Sequence, residues 1–318
     1  MIPIEPDLVN ASVGNCSSRF SIQFVLSGYP PGFSTSHPLC CINLQQKGDA
    51  MSDLAVRCAE NIEKIRLNKP LIHNITNYVV MNFTANVLLA AGASPVMAHA
   101  ENEVEEMVSF AGALVINIGT LSDSWIRSML TAGRKASKLG TPIVLDPVGS
   151  GATRLRTETA QTIAAETNVS IIRGNASEIL SLHNEDSKSK GVDSLHSVDE
   201  AEGSAMVLAR ELGATLAITG PVDFITDGTR ILRVENGHPL MPMVTGTGCS
   251  ATAIIGAFAA VDLDPVSAAA TGLAFFGLAG ERAGDKAQGP GSFMTAVLDA
   301  LYQIGPDDIV AGCKIIEG

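Results

Sequence analysis

The feature that most constrains the fold of this chain is an alternation of short apolar runs with longer segments of helical period. Four apolar runs without polar alternation lie at residues 113–118, 142–145, 169–172 and 215–219. Segments with the period of an α-helix lie between them, at residues 125–138, 154–166 and 200–212. Runs rich in Val, Ile and Leu are typical of parallel strands that helices cover on both faces. Repeated βα units favour right-handed crossovers, so the sequence predicts an α/β domain with a doubly wound, mostly parallel sheet.

The pattern changes towards the end of the chain. Residues 222–226 and 230–234 flank Asp227-Gly228. Because Asp-Gly fits a tight type I′ turn, a β-hairpin is expected here. Residues 249–302 are nearly all of helical period, and their many Ala and Gly residues allow close packing of helices.

Residues 1–50 differ from the rest of the chain. They contain Pro30-Pro31, many Ser residues, few charges and half of the six cysteines. They show neither the two-residue period of a strand nor the 3.6-residue period of a helix over any sustained stretch. They lack the basic start and apolar core of a signal peptide and the Arg-rich pattern of a transit peptide. We expect a disordered N-terminal extension at residues 1–50 and a folded domain at residues 51–318.

The charge and composition exclude several classes of protein. A formal net charge of −12, with no basic stripe, argues against binding to nucleic acid or to an anionic membrane. No apolar run reaches the roughly 18 residues of a membrane helix. The cysteine spacing matches no zinc motif, and a chain of this length needs no disulfides, so we expect a reduced, cytoplasmic protein. An anionic substrate would be held by local dipoles and a metal ion.

A glycine-rich turn at residues 245–250 runs directly into a helical segment at residues 251–255. Glycines permit the positive φ angles that such a turn needs. The N-terminus of a helix offers unpaired N–H groups and about half a positive charge. The turn therefore predicts a phosphate site that includes the amides of Thr247 and Gly248, with Cys249 facing the bound anion.

Polar or glycine residues follow four of the predicted strands, at residues 117–120, 146–151, 173–178 and 219–220. In an open α/β sheet, ligands bind beyond the carboxyl ends of the strands. We expect these segments to converge with the glycine-rich turn on one rim.

Three of the rim residues have both a functional and a structural interpretation. Asp146 can orient a water bound to Mg²⁺, or it belongs to an ordinary Asp-Pro turn. Glu178 lies one helical turn after Asn175, which suits the oxygen ligands that Mg²⁺ prefers, but the pair also matches a capping box. Arg173 can contact a nucleotide phosphate or form a structural ion pair.

Cys249 is the candidate catalytic residue. A helix N-terminus lowers the pKa of a thiol and favours the thiolate, which would make Cys249 a proton acceptor. The alternative is a small buried cysteine at the start of a helix. No cluster of His and Cys and no Gly-x-Ser-x-Gly elbow offers another nucleophile.

The glycine-rich turn also fits a dinucleotide-binding pattern, G-x-G-x-x-A, at residues 246–251. That pattern requires a second strand ending in an acidic residue about 20 positions later. Residues 264–284 have helical period instead, and no Walker Gly-Lys-Ser/Thr follows. A dinucleotide oxidoreductase is therefore the weakest of the alternatives.

Five blocks of sequence carry a resemblance to a known family. They are HNITNYVV at residues 73–80, GASPVM at 92–97, LDPVG at 145–149, IRGNASEI at 172–179 and TGCS at 247–250. With these blocks in this order, the chain from Ser52 to about Ile304 closely resembles the hydroxyethylthiazole kinases, thiamine-salvage enzymes of ribokinase-like fold.

The resemblance implies a three-layer α/β/α fold with a central, mostly parallel sheet. It implies phosphorylation of the primary hydroxyl of 4-methyl-5-(2-hydroxyethyl)thiazole, with ATP as co-substrate and Mg²⁺ as cofactor. It also implies a homotrimer with active sites between subunits. The implied residue roles are substrate contacts for Met97, Gly246 and Asn77, ATP contacts for Arg173 and Thr219, and the metal and phosphate region for Asp146 and Glu178.

One position departs from the wider ribokinase group, which has Asp as the base where Cys249 stands. Because phosphoryl transfer depends mainly on positioning and charge neutralisation, we expect Cys249 to assist only modestly. The alternatives to this function are a kinase of the same fold for a related pyrimidine or sugar alcohol, and an ATP-dependent dehydratase or a non-catalytic nucleotide sensor.

Overall fold

The computed structural model of the protein describes residues 53–183 and 198–318. The expected N-terminal extension at residues 1–50 lies outside these residues. The elements, in chain order, are α1 (Asp53–Asn68), β1 (Leu71–Ile75), α2 (Met81–Ala91), β2 (Ser94–Val96), α3 (Val104–Phe110), β3 (Ala113–Asn117), α4 (Asp123–Leu139), β4 (Ile143–Asp146), α5 (Arg154–Glu166), β5 (Ile171–Gly174), α6 (Ala176–Leu180), α7 (Val198–Leu212), β6 (Thr215–Ile218), β7 (Asp223–Thr226), β8 (Ile231–Val234), α8 (Thr247–Ala259), α9 (Pro265–Gly284), α10 (Pro290–Gln303), α11 (Pro306–Gly312) and β9 (Ile315–Glu317).

Within the described residues the strands form one sheet, in the order β2-β1-β3-β4-β5-β6-β7-β8-β9. The pairs from β2 through β6 are parallel, and the pairs from β6 through β9 are antiparallel. The register of β3 and β4 places Asn117 opposite Asp146 at the carboxyl ends of both strands. The predicted α/β class with a mostly parallel sheet is confirmed.

Helices cover both faces of the sheet. Successive residues of a strand point to opposite sides, so neighbouring residues of one strand pack into different cores. Val115 of β3 belongs to one apolar core, which it shares with Phe258 of α8. Its neighbour Ile116 belongs to a second core, which it shares with Met129 of α4. At Gly256 of α8 a Cβ atom would lie 2.6 Å from Val115 Cγ2, so this helix packs directly against the sheet. The result is three layers, with the sheet in the middle.

Helix α4 illustrates how local sequence sets an element. Ser122 at the N-cap accepts a hydrogen bond from the amide of Trp125, and Gly140 ends the helix in the left-handed region at φ 72°. Both are preferred residues at those positions. The buried side chains of Trp125, Met129 and Ala136 recur at helical spacing and pack into the second core.

The C-terminal part of the domain is helical, as predicted for residues 249–302. Helices α8, α9 and α10 occupy it, and short connections separate them. Sixteen of the 20 residues of α9 are buried, because α8 and α10 pack on it. In the part of the chain that the structure describes, no helix is both long enough and apolar enough to cross a membrane.

The four predicted strands correspond to β3, β4, β5 and β6, and the helix predicted at residues 154–166 coincides with α5. Strands β1 and β2 were not predicted. Polar His73 and Asn74 interrupt the apolar run of β1, although both are buried, and β2 has three residues with Pro95 in the middle.

The predicted hairpin is confirmed in β7 and β8, but its predicted two-residue turn is wrong. Thr226 pairs with Ile231, so four residues form the loop. Type I′ geometry needs positive φ at both central residues, and of Asp227 and Gly228 only the glycine has it, at 86°. The Asp227 carboxylate instead accepts the amides of residues 229 and 230, which closes the wider loop.

Candidate active site

The carboxyl ends of the parallel strands lie along one edge of the sheet and carry Asn117 together with five of the predicted site residues. From β2 towards β6 these are Met97, Asn77, Asn117, Asp146, Arg173 and Thr219. The N-terminus of α8 meets this edge between them, since Cys249 contacts Asn77 and Gly248 contacts Arg173. The predicted convergence on one rim is confirmed. Met97, which was not part of that prediction, lies at the end of this edge because it follows the outermost strand, β2.

The turn before α8 leaves two amides without partners among the described residues. Gly246 has φ 90°, and a Cβ atom there would lie 2.9 Å from Val80 Cγ1, so the position requires glycine. The Thr247 amide donates to the Val244 carbonyl at 3.4 Å. The amides of Gly248 and Cys249 make no hydrogen bond within residues 53–183 and 198–318. These two N–H groups are therefore the ones available to an anion, and the anion role of Thr247 and Gly248 stays a prediction.

Asp146 is fully buried at the centre of the rim. Its Oδ2 atom accepts hydrogen bonds from Asn117 Nδ2 and Thr252 Oγ1, both at 2.8 Å. Its Oδ1 atom is buried and has no hydrogen-bond partner among the described residues. Burial raises the pKa of Asp146 to about 6, against the opposing effect of the Arg173 guanidinium. The carboxylate is thus ionised above pH 6 and keeps one free oxygen.

Arg173 joins the carboxylate to the glycine-rich turn. Its Nη2 atom donates to Thr219 Oγ1 at 2.7 Å, and its Nη1 atom lies 3.9 Å from Asp146 Oδ2. A Cβ atom at Gly248 would lie 2.7 Å from Nη1, so glycine allows the guanidinium to pack against the turn. The ion pair foreseen as the structural interpretation is present, and it leaves the Arg173 Nε atom buried without a partner in the described part of the chain.

A cleft of about 720 Å³ opens beside this rim. Arg173, Thr219, Thr247 and Gly248 line it. Its other lining residues include Asp223, Asn236, His238 and Phe276. The two residues predicted to contact ATP and the two predicted to contact phosphate therefore share one cavity.

Cys249 is a protonated thiol at neutral pH. Asn77 Nδ2 donates to its Sγ atom at 3.5 Å. Burial, followed by the negative charge of Asp146, raises the pKa of Cys249 to about 11. The prediction of a lowered pKa is wrong, because burial and the negative charge of Asp146 disfavour the thiolate.

Alkylation of Cys249 by iodoacetamide at pH 8 is expected to be more than about a hundredfold slower than that of a free thiol of pKa about 8.5. The reason is that only the thiolate reacts, and its fraction falls tenfold for each unit of pKa. Peptide mass spectrometry over a time course measures the rate at this cysteine. A rate equal to that of glutathione would contradict the raised pKa.

Glu178 is held by backbone amides. Its Oε1 atom accepts the Gly149 amide at 2.8 Å, and its Oε2 atom accepts the Asn175 amide at 2.9 Å. Asn175 Oδ1 accepts the Glu178 amide in return, so the capping box foreseen as an alternative is confirmed. Among the described residues no group of three or more His, Cys, Asp or Glu could hold a metal ion. The metal role of Asp146 and Glu178 stays a prediction.

Three residues of the site had no assigned role in the sequence analysis. Asn117 was noted only as the end of a strand, yet it contacts Asp146 and Asn77. Nothing in the sequence around Thr252 indicates a role in the site, because its partner Asp146 lies 106 residues away. Asp223 lines the cleft and accepts the Gly220 amide at 3.0 Å, and burial raises its pKa to about 6.

Comparisons with known proteins bear on the family and the fold of this chain. Residues 62–307 match the sequence model of the Hydroxyethylthiazole kinase family. A relative named hydroxyethylthiazole kinase, from Desulfotalea psychrophila, is 66% identical over 267 residues, which are 84% of this chain and 98% of the relative. A solved structure of the hydroxyethylthiazole kinase protein from Pyrococcus horikoshii is 47% identical and superimposes with a TM-score of 0.77, over 82% of this chain and 99% of that one.

A more distant solved structure bears on the fold alone. It is a ribokinase-like superfamily protein from Enterococcus faecalis, 12% identical, with a TM-score of 0.56 over 82% of this chain and 92% of that chain. The predicted ribokinase-like, three-layer fold is confirmed.

Proposed function

Because this chain belongs to the hydroxyethylthiazole kinase family, we propose that it transfers the γ-phosphoryl group of ATP to the primary hydroxyl of 4-methyl-5-(2-hydroxyethyl)thiazole. The chain is a kinase, and the reaction serves thiamine salvage. The observation that carries the proposal is the 66% identity to a hydroxyethylthiazole kinase over 98% of that relative's length. The cleft beside Asp146 and Arg173 supplies the chemistry that such a transfer needs.

The nucleotide occupies the 720 Å³ cleft, with its triphosphate at the end lined by Arg173, Thr219 and Gly248. Arg173 is the cation in this part of the lining, and charge neutralisation is the main requirement of phosphoryl transfer. The free amides of Gly248 and Cys249 donate to the migrating phosphoryl group, as backbone N–H groups at a helix N-terminus do for phosphate.

The acceptor alcohol lies on the β1–β2 side of α8. Asn77 and Gly246 border this side, and Met97 follows the outermost strand. In this proposal the alcohol and the ATP approach the transferred phosphoryl group from opposite sides, as transfer in line requires.

Cys249 contacts the acceptor as a neutral thiol in this proposal, since its pKa is raised to about 11. Its Sγ atom already receives a hydrogen bond from Asn77. The thiol therefore orients the hydroxyl and does not remove its proton before transfer.

Cys249→Ala is expected to lower kcat by less than about a thousandfold, short of the roughly 10⁴-fold that a general base can supply. The physical reason is that the amides and Arg173, which remain, carry most of the stabilisation. Steady-state rates of the purified variant, with thermal unfolding as the control for folding, measure the effect. A folded variant without detectable turnover would contradict a modest role.

Mg²⁺ is the divalent ion of the proposed reaction, and the residues that would hold it are Asp146 and Glu178. The Oδ1 atom of Asp146, which is buried and has no hydrogen-bond partner in the described part of the chain, fits this role. Mg²⁺ commonly binds through one or two carboxylates together with substrate phosphates, and a full cage of protein ligands is not needed. When bound, the ion neutralises charge on the phosphates.

We also propose a homotrimer with active sites between subunits, in the cytoplasm, where ATP is available. Tyr78 and Val79 directly follow Asn77, and they are 63% and 66% exposed. Apolar side chains of this size beside a substrate residue suit a contact with a second copy of the chain. Light scattering coupled to size-exclusion chromatography tests the oligomeric state.

An assay of ADP release, with the product identified by mass spectrometry, tests the function. The protein is mixed with MgATP and either the thiazole alcohol or hydroxymethylpyrimidine. We expect ADP and a phosphorylated thiazole in equal amounts, with a far slower reaction of the pyrimidine. A preference for the pyrimidine would favour a kinase of the same fold for another alcohol. ATP binding without any phosphorylated product would favour a dehydratase or a nucleotide sensor.

A further inference from the structure

The side-chain amide of Asn117 can adopt only one orientation. Its Oδ1 atom accepts hydrogen bonds from Asn77 Nδ2 at 2.8 Å and from the Gly119 amide at 3.0 Å. Both partners are donors, so an oxygen must face them. The Nδ2 atom is thereby directed at Asp146 Oδ2, at 2.8 Å. Asn117 is itself buried, which leaves it no solvent alternative.

Thr252 reaches the same carboxylate oxygen from α8. Its Oγ1 atom lies 2.8 Å from Asp146 Oδ2 and 3.3 Å from the Gly248 carbonyl. A hydroxyl has a single hydrogen, and the closer, charged acceptor is the stronger partner. Thr252 is completely buried, so its hydroxyl is committed to this contact.

Two donors on one oxygen leave the other oxygen unpaired. Asp146 Oδ1 has no partner among the described residues, and the same holds for the nearby Arg173 Nε atom. A buried carboxylate oxygen without a hydrogen bond costs free energy. A ligand that completes the site would remove that cost.

We propose that Asn117 and Thr252 are positioning residues, which fix the Asp146 carboxylate on its Oδ2 side so that its Oδ1 atom is presented to a divalent cation bound with the nucleotide. This proposal rests on the proposed kinase function, because that function identifies the ligand as a metal–nucleotide complex. Neither residue touches the reacting atoms: Thr252 acts through Asp146, and Asn117 acts through Asp146 and also holds Asn77.

Thr252→Val tests the proposal, because valine keeps the shape of threonine and removes the hydroxyl. The matched control is Thr271→Val in α9. Thr271 is also completely buried, but its hydroxyl donates to the Ser267 carbonyl in its own helix, at 2.7 Å. Thr252→Ser, which retains a hydroxyl donor, is the conservative variant.

The first readout is ATP binding by calorimetry, with Mg²⁺ and with EDTA. Residues that orient a metal ligand typically contribute 10–100-fold in metal affinity or activity. We therefore expect Thr252→Val to reduce the gain in ATP affinity due to Mg²⁺ by about tenfold, with the Kd in EDTA unchanged. Thr271→Val should keep the full gain, and Thr252→Ser should restore it to within about threefold.

The second readout is the dependence of the rate on Mg²⁺ concentration. Thr252→Val is expected to lower kcat by about 10–100-fold and to raise the half-saturating Mg²⁺ concentration, while the KM for the alcohol stays unchanged. A merely structural loss would instead affect both variants alike and lower their thermal midpoints together.

Equal behaviour of Thr252→Val and Thr271→Val in the binding experiment would overturn the proposal. Should Thr252→Val fail to fold, Asn117→Ala is measured in the same way, and an unchanged Mg²⁺ gain there would also overturn it. A wild-type protein that binds MgATP but does not phosphorylate the thiazole would refute the proposed function alone, since the calorimetric comparison does not require turnover.

Discussion

Asp146→Asn is expected to lower kcat by about a thousandfold, because a bound cation and its carboxylate ligand contribute several kcal/mol to stabilising transition-state charge. Asparagine has the same shape as aspartate and keeps an oxygen for the hydrogen bonds from Asn117 and Thr252. Only the charge and the free oxygen at the Oδ1 position are lost. Initial rates at saturating MgATP and thiazole alcohol measure the effect.

The same substitution is expected to raise the free energy of unfolding at pH 7.5. Burial raises the pKa of Asp146 to about 6, above the ordinary value of 3.8. The folded state therefore binds more protons than the unfolded state between these two values, and stability falls as the pH rises through them. Above pH 6 the wild type loses about 3 kcal/mol relative to acid pH through this group. The variant lacks this loss.

Urea unfolding in EDTA at several values between pH 4.5 and 8 measures the difference between the wild type and Asp146→Asn. Asp262 supplies the contrasting control. Burial alone would raise its pKa, but hydrogen bonds from Arg57 and others outweigh burial and leave the pKa lowered. Asp262→Asn should therefore destabilise the protein at neutral pH and leave kcat unchanged. If Asp146→Asn were as active as the wild type, Asp146 would have no part in the reaction.

Much of the fold follows from local sequence, and the exceptions have a physical cause. Strands β3 and β4 are buried on both faces, so all of their residues except the last, Asn117 and Asp146, are apolar, and the strands are easily recognised. Strand β1 is equally buried, but His73 and Asn74 satisfy part of their hydrogen bonding inside the protein, through the Ala98 and Ile72 carbonyls. A polar residue that finds its partner only after folding looks like a surface residue in the sequence.

The functional site, like the fold, was predictable only in part. The rule that ligands bind beyond parallel strands located Asp146, Arg173 and Thr219 at one edge without any knowledge of their contacts. The pKa of Cys249 could not be obtained like this, because it depends on burial and on the charge of Asp146, which lies 103 positions earlier in the chain. Local rules predict where groups lie, whereas their protonation depends on long-range packing.

Arg173→Ala is expected to lower kcat/KM for ATP by about a thousandfold, at the lower end of the range for arginines that stabilise phosphoryl transfer. The substitution removes the cation from the phosphate end of the cleft. It also leaves Asp146 buried without its positive neighbour, 3.9 Å away in the wild type, so the pKa of Asp146 rises further above 6. Both effects reduce the charge complementarity of the site.

Arg173→Lys separates charge from geometry. Lysine restores the positive charge but has no planar fork, so it cannot contact Thr219 and Asp146 together as the guanidinium does. We expect it to recover about tenfold of the loss, in KM more than in kcat. The part of the loss in kcat/KM that Arg173→Lys does not recover is then the contribution of the planar guanidinium geometry.

The control is Arg233→Ala, which removes another partly buried arginine, one that pairs with Glu202 at 2.7 Å and does not line the cleft. This variant should lose stability and keep its kcat/KM within about threefold, the scatter expected for a residue outside the site. Were Arg173→Ala to affect kcat/KM no more than Arg233→Ala does, the phosphate end of the nucleotide could not lie at Arg173. The 720 Å³ cleft would then have to hold the nucleotide in the opposite direction, with its base beside Gly248.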